Sequence, residues 1–110
     1  MTSFYNSVKS TRRYQRVSLA VPIKISTYDN SREPAMVCTY EVSLKGCSIW
    51  NSMGLSTVDQ RLWIHRKNRK AMYKVVWIGA SGSRKHNQVG LEIAESSKVI
   101  WDDEIANKLN

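Results

Sequence analysis

Several residue types that mark particular protein classes are scarce in this chain of 110 residues. It contains only two cysteines, Cys38 and Cys47, and they lack the CxxC spacing of zinc and redox sites. We therefore expect no disulfide framework and no zinc site, but two reduced strand residues of a cytoplasmic protein. No apolar run reaches the roughly 18 residues of a membrane span. Residues 1–6 also lack the apolar stretch of a signal peptide.

Acidic residues are few as well, and they are unevenly distributed. Residues 1–90 contain 15 Lys or Arg against 4 Asp or Glu, a net charge of +11. Residues 91–110 contain 2 against 5, a net charge of −3. A basic body favours an anionic partner. Charge alone leaves three classes open: a nucleotide, a nucleic acid or a membrane surface.

Arrangements typical of catalysis or metal binding are missing. His65 and His86 have no second ligand at metal spacing. The acidic run 102–104 predicts a solvated helix face, and Ser43 has no His and Asp partners arranged for nucleophilic attack. We therefore predict a binding domain that is not an enzyme and that needs no metal or cofactor.

Alternating apolar residues predict six short strands. In the first, Leu19, Val21, Ile23 and Ile25 share one face, and Pro22 assigns the strand to an edge or a bulge because proline cannot donate to a ladder. The other five strands are predicted at 36–43, 46–50, 61–65, 72–78 and 88–93.

The strand pattern also predicts which side chains face the interior. Met36, Cys38, Tyr40 and Val42 alternate along the second strand and should share one face. The same alternation assigns Trp77 of the fifth strand to the core. Six short antiparallel strands with turns between them indicate an all-β domain, a closed or nearly closed six-stranded β-barrel.

The periodicity changes at the C-terminus. Trp101, Ile105 and Leu109 recur every four residues behind Ser96 or Ser97, either of which suits an N-cap. A short amphipathic helix is not stable alone, so we expect it to pack on the barrel. The predicted organisation is a flexible arm at 1–17, a barrel at 18–94 and a helix at 95–110.

Two motifs carry ligand-binding chemistry. Arg12-Arg13-Tyr14-Gln15-Arg16 has two guanidinium groups four residues apart, able to bind phosphate or the Hoogsteen edge of guanine. Glu41-Val42-Ser43-Leu44-Lys45-Gly46 joins a carboxylate, a hydroxyl and a glycine at the end of a predicted strand. The carboxylate can accept hydrogen bonds from guanine N–H groups.

On these motifs the chain resembles the PilZ domains, bacterial receptor modules for the second messenger cyclic di-GMP. The first motif matches the family's RxxxR, and the second resembles its (D/N)xSxxG. Val75-Val76-Trp77 and Val89–Ile93 fit the family's fifth and sixth strands. The resemblance covers nearly the whole chain, from Arg12 to the C-terminal helix.

The resemblance implies a ligand site and a mode of action. Its residues are Arg12, Arg13, Arg16, Glu41, Ser43 and Gly46. The arginines would clamp the ligand from the N-terminal arm, which becomes ordered against the barrel and signals to a downstream protein. The receptor would be a monomer or a dimer linked by ligand.

One position departs from the family pattern, because Glu41 stands where the family has Asp or Asn. The glutamate carboxylate lies one methylene farther from the backbone and loses more side-chain entropy when it is fixed. We therefore expect cyclic di-GMP to bind more weakly than it would with Asp or Asn at this position.

Two alternatives remain from the residues themselves. One is a PilZ-like domain that binds no nucleotide and acts through protein contacts. The other, less favoured, is a small barrel that binds nucleic acid through basic residues near Trp50 and Trp63, whose roles the pattern leaves open. Those basic residues are Arg61, Arg66, Lys67, Arg69 and Lys70.

Overall fold

The computed structural model describes residues 15–95 and 98–109. In this part of the chain six strands form one closed antiparallel barrel, and a short helix follows. The strands are β1 (Pro22–Thr27), β2 (Ala35–Ser43), β3 (Gly46–Trp50), β4 (Arg61–Arg66), β5 (Arg69–Ile78) and β6 (Gln88–Ile93), and the helix α1 is Asp103–Leu109. Around the barrel they follow the order β1-β2-β3-β6-β5-β4. The predicted fold class is confirmed.

The side chain of a buried threonine makes two hydrogen bonds to the chain just before the proline at the start of the first strand. Pro22 is the first residue of β1, a position that needs no ladder donor. Just before it, the Val21 amide donates to Thr39 Oγ1 at 2.9 Å, and the Thr39 hydroxyl donates to the Leu19 carbonyl at 2.7 Å. The chain ahead of β1 therefore stays attached to β2 without a regular ladder.

A bulge in β2 overturns one prediction about its faces. The register between β2 and β3 shifts between Thr39 and Glu41, so an extra residue enters one strand. Before the shift, Met36 and Cys38 point outward, and Met36 is 67% exposed. After it, Val42 points inward and is 1% exposed. The four residues predicted to share a face are thus divided between two faces.

Alternate strand residues fill the barrel, as the period-two pattern predicts. Ile25, Leu62, Ile64, Tyr73 and Val75 are all fully buried. Burial of such side chains contributes roughly 1.5–3 kcal/mol each relative to exposure. The interior is therefore a packed core, and ligand chemistry has to occur on the outer surface.

The C-terminal segment packs on this core, as predicted. Ile100, Trp101, Ile105 and Leu109 are buried and belong to the same apolar cluster as the strands. The described residues include no helix with the length and apolar character of a membrane span.

The helix is shorter than predicted. It begins at Asp103, whereas the predicted N-caps, Ser96 and Ser97, lie outside the described residues. The Trp101 carbonyl accepts a hydrogen bond from Arg69 Nη1 at 2.7 Å. The carbonyl ahead of the helix is thus bonded to the β4–β5 hairpin.

The same segment neutralises the basic tip of the β4–β5 hairpin. Arg66 Nη2 lies 3.5 Å and Lys67 Nζ 3.4 Å from the Asp102 carboxylate. Desolvation acts to raise the pKa of the Asp102 carboxyl. Its hydrogen bonds to the backbone and to Lys67, together with the charges of Lys67 and Arg66, outweigh desolvation and lower that pKa. Asp103 and Glu104 are exposed, as predicted for a solvated face, but Asp102 is a bound counter-ion.

Candidate ligand-binding site

The turn between β2 and β3 brings the second motif together. Ser43 and Gly46 face each other in the ladder, joined by Leu44 and Lys45. Because Val42 points into the core, Glu41 and Ser43 on either side of it point outward on the same face. The carboxylate and the hydroxyl are therefore neighbours on the barrel surface.

Gly46 is required by packing rather than by backbone conformation. A Cβ atom at this position would lie 2.6 Å from the Leu91 carbonyl oxygen of β6. Any larger residue would push β3 and β6 apart, close to the point where Ser43 ends β2. The close backbone approach at this glycine therefore occurs within the barrel wall.

Arg16 reaches the motif because the chain ahead of β1 pairs with β2. Val17 and Val42 exchange two backbone hydrogen bonds, each 2.9 Å long. Arg16 Nη1 then donates to Glu41 Oε1 at 3.1 Å, and the two side chains remain 33% and 27% exposed. An ion pair this exposed contributes only about 0–1 kcal/mol. A ligand can therefore separate it at low cost.

These residues line one small cleft. Arg16, Glu41, Ser43 and Gly46 share it with residues of β5 and β6, and its volume is about 40 Å³. Pockets that enclose small molecules measure roughly 300–1,000 Å³. The cleft is consequently too small to enclose a small molecule and can admit only part of one. Arg12 and Arg13 lie outside the described residues.

Trp77 forms one wall of the cleft, which corrects its assignment to the core. The register of β5 against β6 shifts between Val75 and Trp77, so the tryptophan turns outward and is only half-buried. It covers Gly90, where a Cβ atom would lie 2.1 Å from the indole Nε1. Lys85 Nζ lies 5.4 Å from the ring centroid. A tryptophan opposite a glycine on adjacent strands is the sequence signal for this packing.

Two hydrogen bonds join the C-terminal segment to the turn between β2 and β3 at the cleft. The indole Nε1 of Trp101, a residue only 1% exposed, donates to the Ser43 carbonyl at 2.7 Å. Lys45 Nζ donates to the Lys98 carbonyl at 3.4 Å. The motif turn is thus positioned by the tail as well as by its own strands, a role that the helical spacing of Trp101 did not indicate.

One titratable group of the cleft, the Cys47 thiol, has a strongly shifted pKa. Burial raises the pKa of the Cys47 thiol to about 12, so it stays protonated and unreactive at neutral pH. Both Cys38 and Cys47 are free. Among the described residues, no group of three or more His, Cys, Asp or Glu side chains could hold a metal ion.

Comparison with solved structures identifies the fold. The Bacillus subtilis inhibitor of motility, MotI (DgrA), matches 89% of this chain with a TM-score of 0.58 and 19% identity. The chain spans 47% of the length of that protein. The PilZ domain of CeSA from a cellulose-synthesizing bacterium matches 86% of this chain and 88% of its own length, with a TM-score of 0.51 and 12% identity.

The chain therefore has the fold of a PilZ domain, and the resemblance noted from the motifs is confirmed at the level of fold. No protein-family model matches the chain, and no curated protein matches it significantly.

Proposed function

We propose that this chain is a receptor domain for cyclic di-GMP. The observation that supports the proposal best is the meeting of two motifs far apart in sequence. Arg16 and Glu41 are 25 residues apart and in contact at 3.1 Å, next to Ser43 and Gly46. Together these residues offer a cation for phosphate, a carboxylate for guanine N–H groups and a hydroxyl for either.

Binding would begin with an exchange of partners. Arg16 leaves Glu41 for a ligand phosphate or for guanine O6 and N7, which a guanidinium contacts with two parallel bonds. The released carboxylate of Glu41 accepts from the Watson–Crick N–H groups of a guanine. Arg12 and Arg13 supply the further positive charge that a dianionic ligand needs beside an acid.

The energy is sufficient for a sensor. A micromolar affinity requires about 8 kcal/mol, and charged hydrogen bonds contribute roughly 1.5–3 kcal/mol each. Three or four such contacts contribute about 4.5–12 kcal/mol, a range that includes this value. The contacts join the arm to the barrel next to Ser43, and the surface formed there is one that a downstream protein can recognise.

The proposal is tested by calorimetry on the full chain. Cyclic di-GMP should bind, and Arg16→Ala should weaken binding about ten- to a hundredfold, the value of one or two charged bonds. Arg84→Ala removes an equal charge from the exposed β5–β6 loop and serves as the control. Cyclic di-AMP should bind poorly, because adenine lacks the donor pair for Glu41. Equal affinities of the Arg16 variant and the wild type would refute the site.

Ordering of the N-terminal arm is tested separately, by hydrogen exchange. Hydrogen exchange should show added protection in residues 5–17 when cyclic di-GMP is present. Unchanged exchange in the presence of saturating ligand would contradict the proposed mode of signalling while leaving the binding site intact.

The closed state of the cleft favours a second candidate. Arg16 is already paired with Glu41, and the cleft volume is only about 40 Å³. A cleft that is small and already internally paired suits a PilZ-like domain that binds no nucleotide and acts through protein contacts. Calorimetric silence with cyclic di-GMP at millimolar concentration would select this candidate.

A further inference from the structure

Outward side chains of three neighbouring strands form a basic surface on the far side of the barrel. In the barrel order, β1 and β4 lie opposite β6 and β3, which border the cleft. His65 of β4 pairs with Lys24 of β1 on one side and with Lys70 of β5 on the other. The two lysines are therefore about 10 Å apart across three strands.

Two aromatic rings lie beside this row. Tyr28 and Trp63 stack with centroids 6.3 Å apart and an angle of 21° between their planes. Lys70 Nζ lies 4.5 Å from the centroid of the Trp63 ring. Tyr28 is 57% exposed. We call Lys24, Tyr28, Arg61, Trp63 and Lys70 the lysine–tryptophan face.

The positive charge of this face is concentrated in the row Lys24, His65 and Lys70, because Asp29 and Asp59 line a cavity with Tyr28 and Arg61 at one end of the face. In the described part of the chain, the outward positions of β1 and β4 carry no carboxylate. The face ends in β5, where Lys74 has Glu92 of β6 as its ladder partner. Burial, followed by the charges of Lys24 and Lys70, lowers the pKa of His65, as expected at a positive surface.

The structure also revises which cations are available. Arg66, Lys67 and Arg69, three of the five residues named from sequence for nucleic-acid binding, contact the C-terminal segment. Arg61 and Lys70 lie on the lysine–tryptophan face instead, where Lys24 joins them.

We propose that the lysine–tryptophan face binds single-stranded nucleic acid, as a second site separate from the cleft. A row of cations beside one pair of stacked rings fits a sugar–phosphate backbone running beside its bases. Protein interfaces are depleted in lysine at their centres, which favours the polyanion over an acidic protein segment. Binding on stacked rings would depend little on base sequence, because every base has a π-face.

The test uses a fluorescein-labelled 20-residue oligothymidylate and the full chain without cyclic di-GMP, so it does not depend on the function proposed above. Anisotropy titrations at several salt concentrations should give binding that weakens steeply with salt. Lys24→Gln with Lys70→Gln should weaken binding about tenfold at low salt and reduce the log–log salt slope by about 1.4, the value for two phosphate contacts on a single strand. The control, Arg84→Gln with Lys108→Gln, has the same net charge and should keep both values.

Stacking is tested separately by tryptophan fluorescence. The oligonucleotide should quench the wild type, and Trp63→Phe should lose most of that quenching while keeping its melting temperature. Three results would overturn the proposal: no binding at 50 mM salt, equal losses in the two double variants, or unchanged quenching in Trp63→Phe. Binding of poly-glutamate in place of the oligonucleotide would assign the face to an acidic protein and would overturn it equally.

Discussion

The chain has two basic regions near hairpins, and they differ in what their cations contact. At the cleft, Arg16 contacts Glu41, and both side chains are about one-third exposed. At the tip of the β4–β5 hairpin, Arg69 donates to the carbonyl of buried Trp101, at 2.7 Å. The first contact is between two solvated groups and is easily exchanged. The second satisfies the backbone carbonyl of a buried residue.

The comparison teaches that composition does not identify a binding site. The hairpin tip is the densest basic run in the sequence, yet three of its four cations, Arg66, Lys67 and Arg69, contact the C-terminal segment. Arg16 comes from a less conspicuous motif and remains exchangeable. The predictions that follow test whether stability depends on the tip and ligand binding on the cleft.

Arg69→Ala should have the largest effect on stability. It leaves the Trp101 carbonyl without its charged donor, which costs about 2–3 kcal/mol of unfolding free energy. Arg16→Ala should change the unfolding free energy by less than about 1 kcal/mol, while weakening cyclic di-GMP binding. Urea unfolding of both variants measures the contrast. Equal stability losses would remove the distinction between the two regions.

Gly46→Ala should destabilise the barrel at the cleft. The added Cβ would lie 2.6 Å from the Leu91 carbonyl, and separating β3 from β6 should cost about 1–3 kcal/mol. Gly82→Ala is the control, because Gly82 has φ of +80° but nothing within 4 Å of a Cβ. It should cost about 1 kcal/mol, from backbone strain alone. Thermal unfolding compares them, and a smaller loss at Gly46 would contradict the packing argument.

The barrel and its six strands follow from period-two alternation, and the motifs contain four residues of the cleft, Arg16, Glu41, Ser43 and Gly46. The errors in face assignment arise at bulges. Register shifts after Thr39 and after Val75 reverse the faces of Met36 and Trp77. A bulge depends on how a strand pairs with its neighbour, and alternation within one strand does not contain that information.

The role of the tail was also beyond sequence reasoning. The four-residue spacing of Trp101, Ile105 and Leu109 indicates burial but not a partner. The hydrogen bond from Trp101 to Ser43 joins residues 58 positions apart, and only the closed barrel brings them together.

Trp101→Phe tests whether the tail positions the cleft. Phenylalanine keeps an aromatic ring in the core but removes the N–H that donates to Ser43, and we expect a loss of about 1 kcal/mol in unfolding free energy. Binding of cyclic di-GMP should weaken about threefold to tenfold, because the motif turn loses a support. Ile105→Val, a core change of similar expected cost, is the control and should leave the dissociation constant unchanged. A loss of affinity in both variants would mean that stability alone is responsible.

Glu41→Asp should tighten cyclic di-GMP binding about threefold. The shorter side chain loses less rotamer entropy on fixation and releases Arg16 from the 3.1 Å contact. Calorimetry of Glu41→Asp and Glu41→Gln separates length from charge, since the glutamine keeps the length. Weaker binding of the aspartate variant would show that the longer acid is adapted to this site.

The pH dependence of His65 should give the smallest effect, and it concerns the face opposite the cleft. Burial lowers its pKa below the usual 6.5, and the nearby Lys24 and Lys70 lower it further. The unfolded chain therefore binds the proton more readily, so stability should fall as the pH decreases from about 6.5 through the folded-state pKa. Ser26 Oγ of β1, 3.2 Å from His65 Nε2, is an uncharged neighbour of the ring. Lys24→Gln with Lys70→Gln should raise the pKa of His65 in an NMR titration and reduce the loss of stability.

An oligonucleotide bound to this face should raise the same pKa of His65, whereas cyclic di-GMP bound at the cleft should leave that pKa unchanged. One titrating ring therefore distinguishes the two surfaces.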